Sequence, residues 1–577
     1  MKKFLGNLFS SGKGAKNSDE IKSPSLDLNI ARLSQKPRQL DTNPANLRQH
    51  LDQFIRTRSQ QILEAEEYLV KINKVELKSA VRANLLNTTF ETTSDSIMYF
   101  YRKYLGKGTS FPESEERKTE LTAAINLLRQ LITSSKIIFS SEYSSSKSLH
   151  RDNAFLKSSA AYILQLTIWL QRFLAIRFQS LAPNEWHDLN LIYFTSVDVF
   201  NPDKPLDLIE HLELNKASSI IAAEHHHLSL NELYKSIQIF GLLDITGWPS
   251  SATQSIEWFL DKHRSVIKVH LNSDCPGDDC AAVIGSQSSA AKLGPQSKEK
   301  PGCYFDLTEL KIIIRDTIKQ NEKRKFIGED EKQRLQPKGH IEELTSNQSY
   351  LALLEKCLTS RQRQSDRKSL YGARTINIYT GLSESYRVLY EHKYPPDPRD
   401  KNSGLHDAAA RSSSLLFDES HTEDECRWVV INVSENGYLI RTRETRYMHA
   451  MEVGQVVTLR GEEEQGKAPS LGYITRLHRV NSEELDMAVV KISSNAEAVT
   501  VLEPGQDLDS QDKLPGILLQ TADEHWNIIL PRYVEFLTGT PAVIDKKTEK
   551  IPVRLGESVE TKDGFVMFRV RSPMLSS

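Results

Sequence analysis

Between residues 361 and 374 the sequence RQRQSDRKSLYGAR carries four arginines and Lys368 against the single Asp366, although the whole 577-residue chain is nearly neutral, with 74 basic and 76 acidic residues. Guanidinium groups make forked hydrogen bonds to phosphate oxygens, and the same fork matches O6 and N7 of guanine. Arg361, Arg363 and Arg367 are therefore candidates to hold a guanine nucleotide by its phosphate or by its base. The plain alternative is a solvated basic stretch after a helix. A second polar knot, INVSENGY over 431–438, lies where the apolar runs WVVI and YLI meet. Asn436 and Gly437 suit a tight turn between antiparallel strands, because both tolerate positive φ. Such a turn leaves Asn432 and Ser434 unexplained, and their amide and hydroxyl can hydrogen-bond a ligand.

Other chemistry finds less support. EHHHL over 224–228 places three histidines in a row, but successive helical side chains point about 100 degrees apart and cannot share one metal ion. LGKGTS over 105–110 lacks the phosphate-loop spacing and a preceding strand. The five cysteines, Cys275, Cys280, Cys303, Cys357 and Cys426, make no CxxC pair. Reduced loop thiols are expected for Cys275 and Cys280, and a reducing cytoplasm for the chain. No nucleophile, base and orienting group converge, so neither catalysis nor a metal or cofactor is expected.

The elements that must position these groups follow from periodicity, and the length suggests three or four units of about 150 residues each. Residues 1–42 lack a sustained pattern and read as a flexible tail, in which Phe4, Leu5, Leu8 and Phe9 suit a short amphipathic membrane contact. Over 43–262 apolar residues recur at intervals of three and four, as at Leu47, Leu51, Phe54 and Ile55, which predicts an all-helical domain. Within it the apolar run 160–178 is interrupted by Gln165, Gln171, Arg172 and Arg177, which indicates a buried helix rather than a membrane span. Residues 263–345 mix a short strand at Val266–Leu271, a linker and a helix. Beyond Arg374 short runs rich in Val, Ile and aromatic residues predict a largely antiparallel barrel or a pair of small barrels, taken as a β-barrel over 346–500, with a helix and loop inserted over 381–425, and a β extension over 501–577. The fold class expected is α+β: an N-terminal all-helical region, then a C-terminal antiparallel β-barrel with extra strands.

Arg363 and Arg367 form an RxxxR element, and Asn432, Ser434 and Gly437 form an NxSxxG element. Together they resemble the bipartite signature of PilZ domains, over about residues 355–500. The resemblance implies a six-stranded β-barrel in which the arginine segment, mobile when empty, wraps cyclic di-GMP against the strand carrying the second motif. By position, Arg363 and Arg367 would grip phosphate and guanine, Asn432 and Ser434 would orient one guanine and its phosphodiester, and Gly437 would set the backbone. Arg361 is an auxiliary contact that no motif position demands. The two motifs stand about twice as far apart as is usual in the family, a departure that the insertion over 381–425 explains and that loop entropy tolerates.

The order of elements is also similar to that of large cytosolic bacterial cyclic di-GMP receptors linked to surface attachment and type IV pili. That similarity implies a cytoplasmic receptor, recruited to a cell pole or the inner membrane surface, whose helical region binds protein partners. No transmembrane segment and no DNA or RNA partner are expected. Two other readings stand beside it. One is a PilZ-like scaffold without ligand that works by protein contacts. The other is a single-stranded nucleic-acid binder that stacks bases on Trp428, Tyr438 and Tyr473, which the near-zero net charge disfavours.

Overall fold

Asn43, Asn153 and Ser229 each precede an apolar-periodic run, and each caps a helix. The computed structural model describes residues 26–572 except 35–39, 108, 112, 146–152, 205–227, 251, 272–278, 284–286, 293–301, 325–347, 359–367, 370–373, 396–426, 435, 443–448, 462–467, 482–483, 503–513, 522–524, 533–537, 547–548 and 563. Two units are present: residues 1–107, 115–245 and 251–361 form the first, and residues 108–114, 246–250 and 362–577 the second. The segment 108–114 thus gives the second unit its first strand, β1 (Thr109–Phe111).

The first unit opens with the described helices α1 (Pro44–Asp52), α2 (Arg58–Ile72), α3 (Ser79–Tyr104), α4 (Glu115–Ser145), α5 (Ala154–Ile176), α6 (Pro183–Val199), α7 (Leu230–Leu242) and α8 (Ala252–His263). Capping supplies their starts: Ser229 Oγ accepts the Glu232 N–H at 3.2 Å while Glu232 Oε2 accepts the Ser229 N–H at 2.9 Å, a reciprocal box that satisfies two orphan donors. The core lies where α4 meets α5, with α2 and α3 packed on α4 and with α7 on α5. Leu121, Leu128 and Leu131 of α4 and Ile163, Leu170 and Leu174 of α5 are buried there.

Among the described helices, Phe155–Ile176 is the one long and apolar enough to cross a membrane, yet 89% of its most apolar window is buried inside the unit. Its polar interruptions find partners. Gln171 Nε2 donates to Ile237 O at 3.2 Å, and Arg172 lies over the Trp169 ring and reaches Glu257 of α8 at 3.2 Å. The Tyr101 hydroxyl donates to the same carboxylate at 3.1 Å. Burial pushes the Glu257 carboxyl up from 4.5 to about 7, with the Arg172 charge opposing the shift. A carboxyl that holds its proton more tightly folded than unfolded favours the fold most below its unfolded pKa, and that contribution is lost as the pH rises through the folded value. Glu257→Gln, which keeps a neutral hydrogen-bonding group at this position, should therefore flatten the decline in stability between about pH 5 and about pH 8. Urea unfolding of both proteins at those pH values checks this; parallel declines would exclude Glu257 as the source.

The first unit continues as a four-stranded antiparallel sheet of order β2-β5-β3-β4, from β2 (Lys268–Leu271), β3 (Cys280–Val283), β4 (Ala291–Lys292) and β5 (Cys303–Asp306). Two helices packed on each other follow, α9 (Thr308–Arg324) and α10 (Gln348–Leu358). Two expectations are corrected here. The tail assigned to 1–42 is docked over 26–34: Leu28 is buried, the Asn29 N–H donates to Asp188 Oδ1 at 3.1 Å, and Ser34 bridges to Val75. A nine-residue segment held by one apolar anchor and scattered hydrogen bonds has no period to detect. Cys280 is disulfide-bonded rather than reduced. It opens a strand whose four residues are all buried, whereas Cys303 is a free buried thiol.

The second unit holds two closed six-stranded barrels. The first comprises β7 (Thr375–Thr380), β8 (Arg427–Ser434), β9 (Gly437–Thr442), β11 (Val456–Gly461), β12 (Ser470–Arg479) and β13 (Leu485–Ser493). The order is β8-β7-β11-β12-β13-β9, and the β8–β9 pairing closes the ring. The two-residue strand β6 (Lys368–Ser369) adds to the edge of β8, and β10 (His449–Met451) pairs with β1. Ile378, Trp428, Val430, Ile440, Val457, Leu477 and Met487 are buried inside. The expected extension over 501–577 is a second barrel that begins at Ala496, of order β14-β15-β16-β19-β18-β17. Its strands are β14 (Ala496–Leu502), β15 (Leu514–Gln520), β16 (Trp526–Pro531), β17 (Pro541–Asp545), β18 (Lys550–Thr561) and β19 (Phe565–Arg571).

Helix α11 (Leu382–Lys393) follows β7 and packs on both barrels. Gly381, at φ 91°, turns the chain into it. Leu389 of α11, Val456 and Leu471 of the first barrel, and Ile517, Leu519 and Phe565 of the second share one buried cluster. The far end of α11 is tied down as well: Lys393 pairs with Glu497, and the Tyr394 hydroxyl donates to Lys546 O at 2.8 Å.

Candidate functional site

Strand alternation alone would turn Asn432 and Ser434 into the first barrel, on the same face as Trp428 and Val430. A β-bulge prevents this. Val430 pairs with Ile440 but Asn432 pairs with Leu439, so Ile431 is an extra residue that reverses the face of everything after it. Val430 and Ile440 are buried in the barrel, while Asn432 and Ser434 reach its outer face half-buried. Ser434 pairs with Gly437, so two residues link the strands, and the Ser434 hydroxyl donates to Gly437 O at 3.4 Å.

Gly437 occupies the first position of β9 without a positive φ. Its lack of a side chain has another cause: a Cβ there would lie 2.2 Å from Val489 O of β13. The expectation that Gly437 serves the turn by its backbone freedom is thus corrected, since it admits a neighbouring strand.

Ser369 of β6 pairs with Asn432, and Lys368 with Val433. Because β6 and β7 both run antiparallel to β8, the chain enters this edge from the Ser434 end. A row of cross-strand partners runs from Ser434 through Gly437, Val490 and Tyr473 to Val456, and the last two lie at the cluster shared with the second barrel. Burial and the Glu560 charge raise the pKa of the Tyr473 phenol, which stays protonated. On the same outer face Arg441 is committed to Asp486, Nε to Oδ1 at 2.6 Å and Nη2 to Oδ2 at 3.0 Å.

No family model, curated protein or solved structure matches the chain. What the site can do therefore rests on its own residues. The structure places Asn432, Ser434 and Gly437 together, whereas Arg361, Arg363 and Arg367 lie outside the described residues, as do the three histidines of EHHHL. Among the described residues no group of three or more His, Cys, Asp or Glu side chains could hold a metal ion. Trp428 is buried, which removes one of the three stacking platforms that the nucleic-acid reading requires. Sequence reasoning missed Ser369 as a neighbour of Asn432, because a two-residue strand carries no alternation to detect.

Proposed function

We propose that the chain is a cyclic di-GMP receptor whose messenger site combines the outer face of β8 with the arginine segment leading into β6. The observation that carries this reading is the pairing of Ser369 with Asn432 and of Lys368 with Val433. Lys368 is bonded to Arg367, so the last residue of the RxxxR element is one peptide bond from a residue that pairs with the strand carrying the NxSxxG element. Arg363 stands five residues upstream of Lys368, within about 17 Å of extended chain. Guanidinium donors and the amide and hydroxyl of β8 can then serve one ligand that bears both phosphate and guanine edges. The six-stranded closure of the first barrel agrees with the resemblance to PilZ domains.

Binding pins the arginine segment to β8, and the row from Ser434 to Tyr473 offers a path to the second barrel. The helical unit serves as the surface for protein partners in attachment or pilus-related behaviour.

Titration calorimetry of the full chain with cyclic di-GMP tests the proposal, with saturable binding expected. A folded, monodisperse protein that binds none at high micromolar ligand would instead be a scaffold working by protein contacts. Salt-sensitive oligonucleotide binding that cyclic di-GMP does not compete away would point to nucleic acid.

A further inference from the structure

A cavity of about 330 Å³ lies in the first unit between α4, α5, the start of α6 and Asn29. That volume is at the lower end of the range for small-molecule sites. Its floor is apolar, formed by Ile132, Ile163, Leu170, Leu181 and Leu189, all buried. Its wall carries two cations from α4, Arg129 and Lys136, seven residues apart and so on one helix face.

The carboxylate of Glu185 also lines the cavity and Asp188 stands beside it, and both are already engaged. Glu185 accepts Arg129 Nε at 2.8 Å through Oε1 and the Ala182 N–H at 2.7 Å through Oε2. Asp188 accepts Lys136 Nζ at 2.5 Å through Oδ2 and the Asn29 N–H at 3.1 Å through Oδ1. A guanidinium has five N–H donors and an ammonium three. Among the described residues each cation therefore keeps donors that no side chain takes up, above an apolar floor. Thr133 and Thr167 do not compete for an anion, because each hydroxyl donates to its own helix, to Arg129 O and Ile163 O.

We propose that this cavity binds a small organic carboxylate with a short aliphatic body, the carboxylate held by Arg129 and Lys136 and the body lying on the leucine and isoleucine floor. The inference is independent of the messenger site, whose strand β8 belongs to the second unit.

Calorimetric titration of the full chain with octanoate is the test, with 1-octanol as the uncharged probe of equal length. Octanoate should saturate one site and octanol should bind at least about tenfold more weakly, the cost of a lost charge-assisted contact. Arg129→Ala should weaken octanoate by a similar factor, and Thr133→Leu, which fills the cavity from its rim, should abolish binding, with thermal melting monitored by circular dichroism as the control for folding. Cyclic di-GMP titrations of the same variants should match the wild type, which separates failure here from failure of the receptor reading. No saturable octanoate binding at millimolar concentration, or binding indifferent to Arg129→Ala, overturns the proposal.

Discussion

Replacing both Arg363 and Arg367 with alanine is expected to weaken cyclic di-GMP binding by roughly a hundred- to a thousandfold. Each guanidinium that reaches phosphate or guanine contributes a charge-assisted contact worth on the order of 2 kcal/mol, about thirtyfold in affinity. Two such contacts to one ligand are coupled, because losing the first lets the ligand shift against the second, so their sum is an upper bound. The loss should grow as salt is lowered, since the wild type alone retains the attraction that salt screens. Calorimetry on the wild type, each single variant and the double variant at two ionic strengths measures both effects. If the double variant binds as tightly as the wild type, the arginine segment is not the phosphate grip, and the pairing of β6 with β8 has only a structural role.

Features repeated at a fixed interval were legible in the sequence. Leu47 and Leu51 announce a helix, and both are buried where that helix packs. The runs WVVI, VVTLR and MAVVKI announce strands, which are found at Arg427–Ser434, Val456–Gly461 and Leu485–Ser493. One barrel or a pair of them was legible too, but which strands close each was not. The second barrel exists because Thr500 pairs with Asp545 and Leu502 with Val543, and nothing local in either strand specifies a partner some forty positions away. Nor was the face of Asn432, because alternation from Trp428 and Val430 runs straight through it and only the register slip at Ile431 reverses it. The cavity beside Lys136 was hidden for a related reason, since its walls come from α4, α5 and α6 together.

Gly437→Val is expected to damage the barrel first and the ligand site only in consequence. The resemblance to PilZ domains gives this glycine a place in the binding motif, but the nearest obstacle to a side chain is the protein itself. A Cβ would lie 2.2 Å from Val489 O and 3.3 Å from the Val490 Cα. Those are backbone atoms of β13, bound in register to β9 from Gly437 to Thr442, so no rotamer change relieves the clash and the two strands must part. Overpacking of this kind costs about 1–3 kcal/mol, and the β-branched valine with an immovable neighbour belongs at the upper end. Asn432→Ala makes the opposite test. Its side chain is half-buried on the outer face, and its loss should leave the melting temperature nearly unchanged while lowering cyclic di-GMP affinity by about fivefold, the worth of one neutral hydrogen bond. Thermal melts and titrations on both variants therefore separate packing from recognition within a single hairpin. A Gly437→Val protein that melts like the wild type but no longer binds would return this glycine to the ligand.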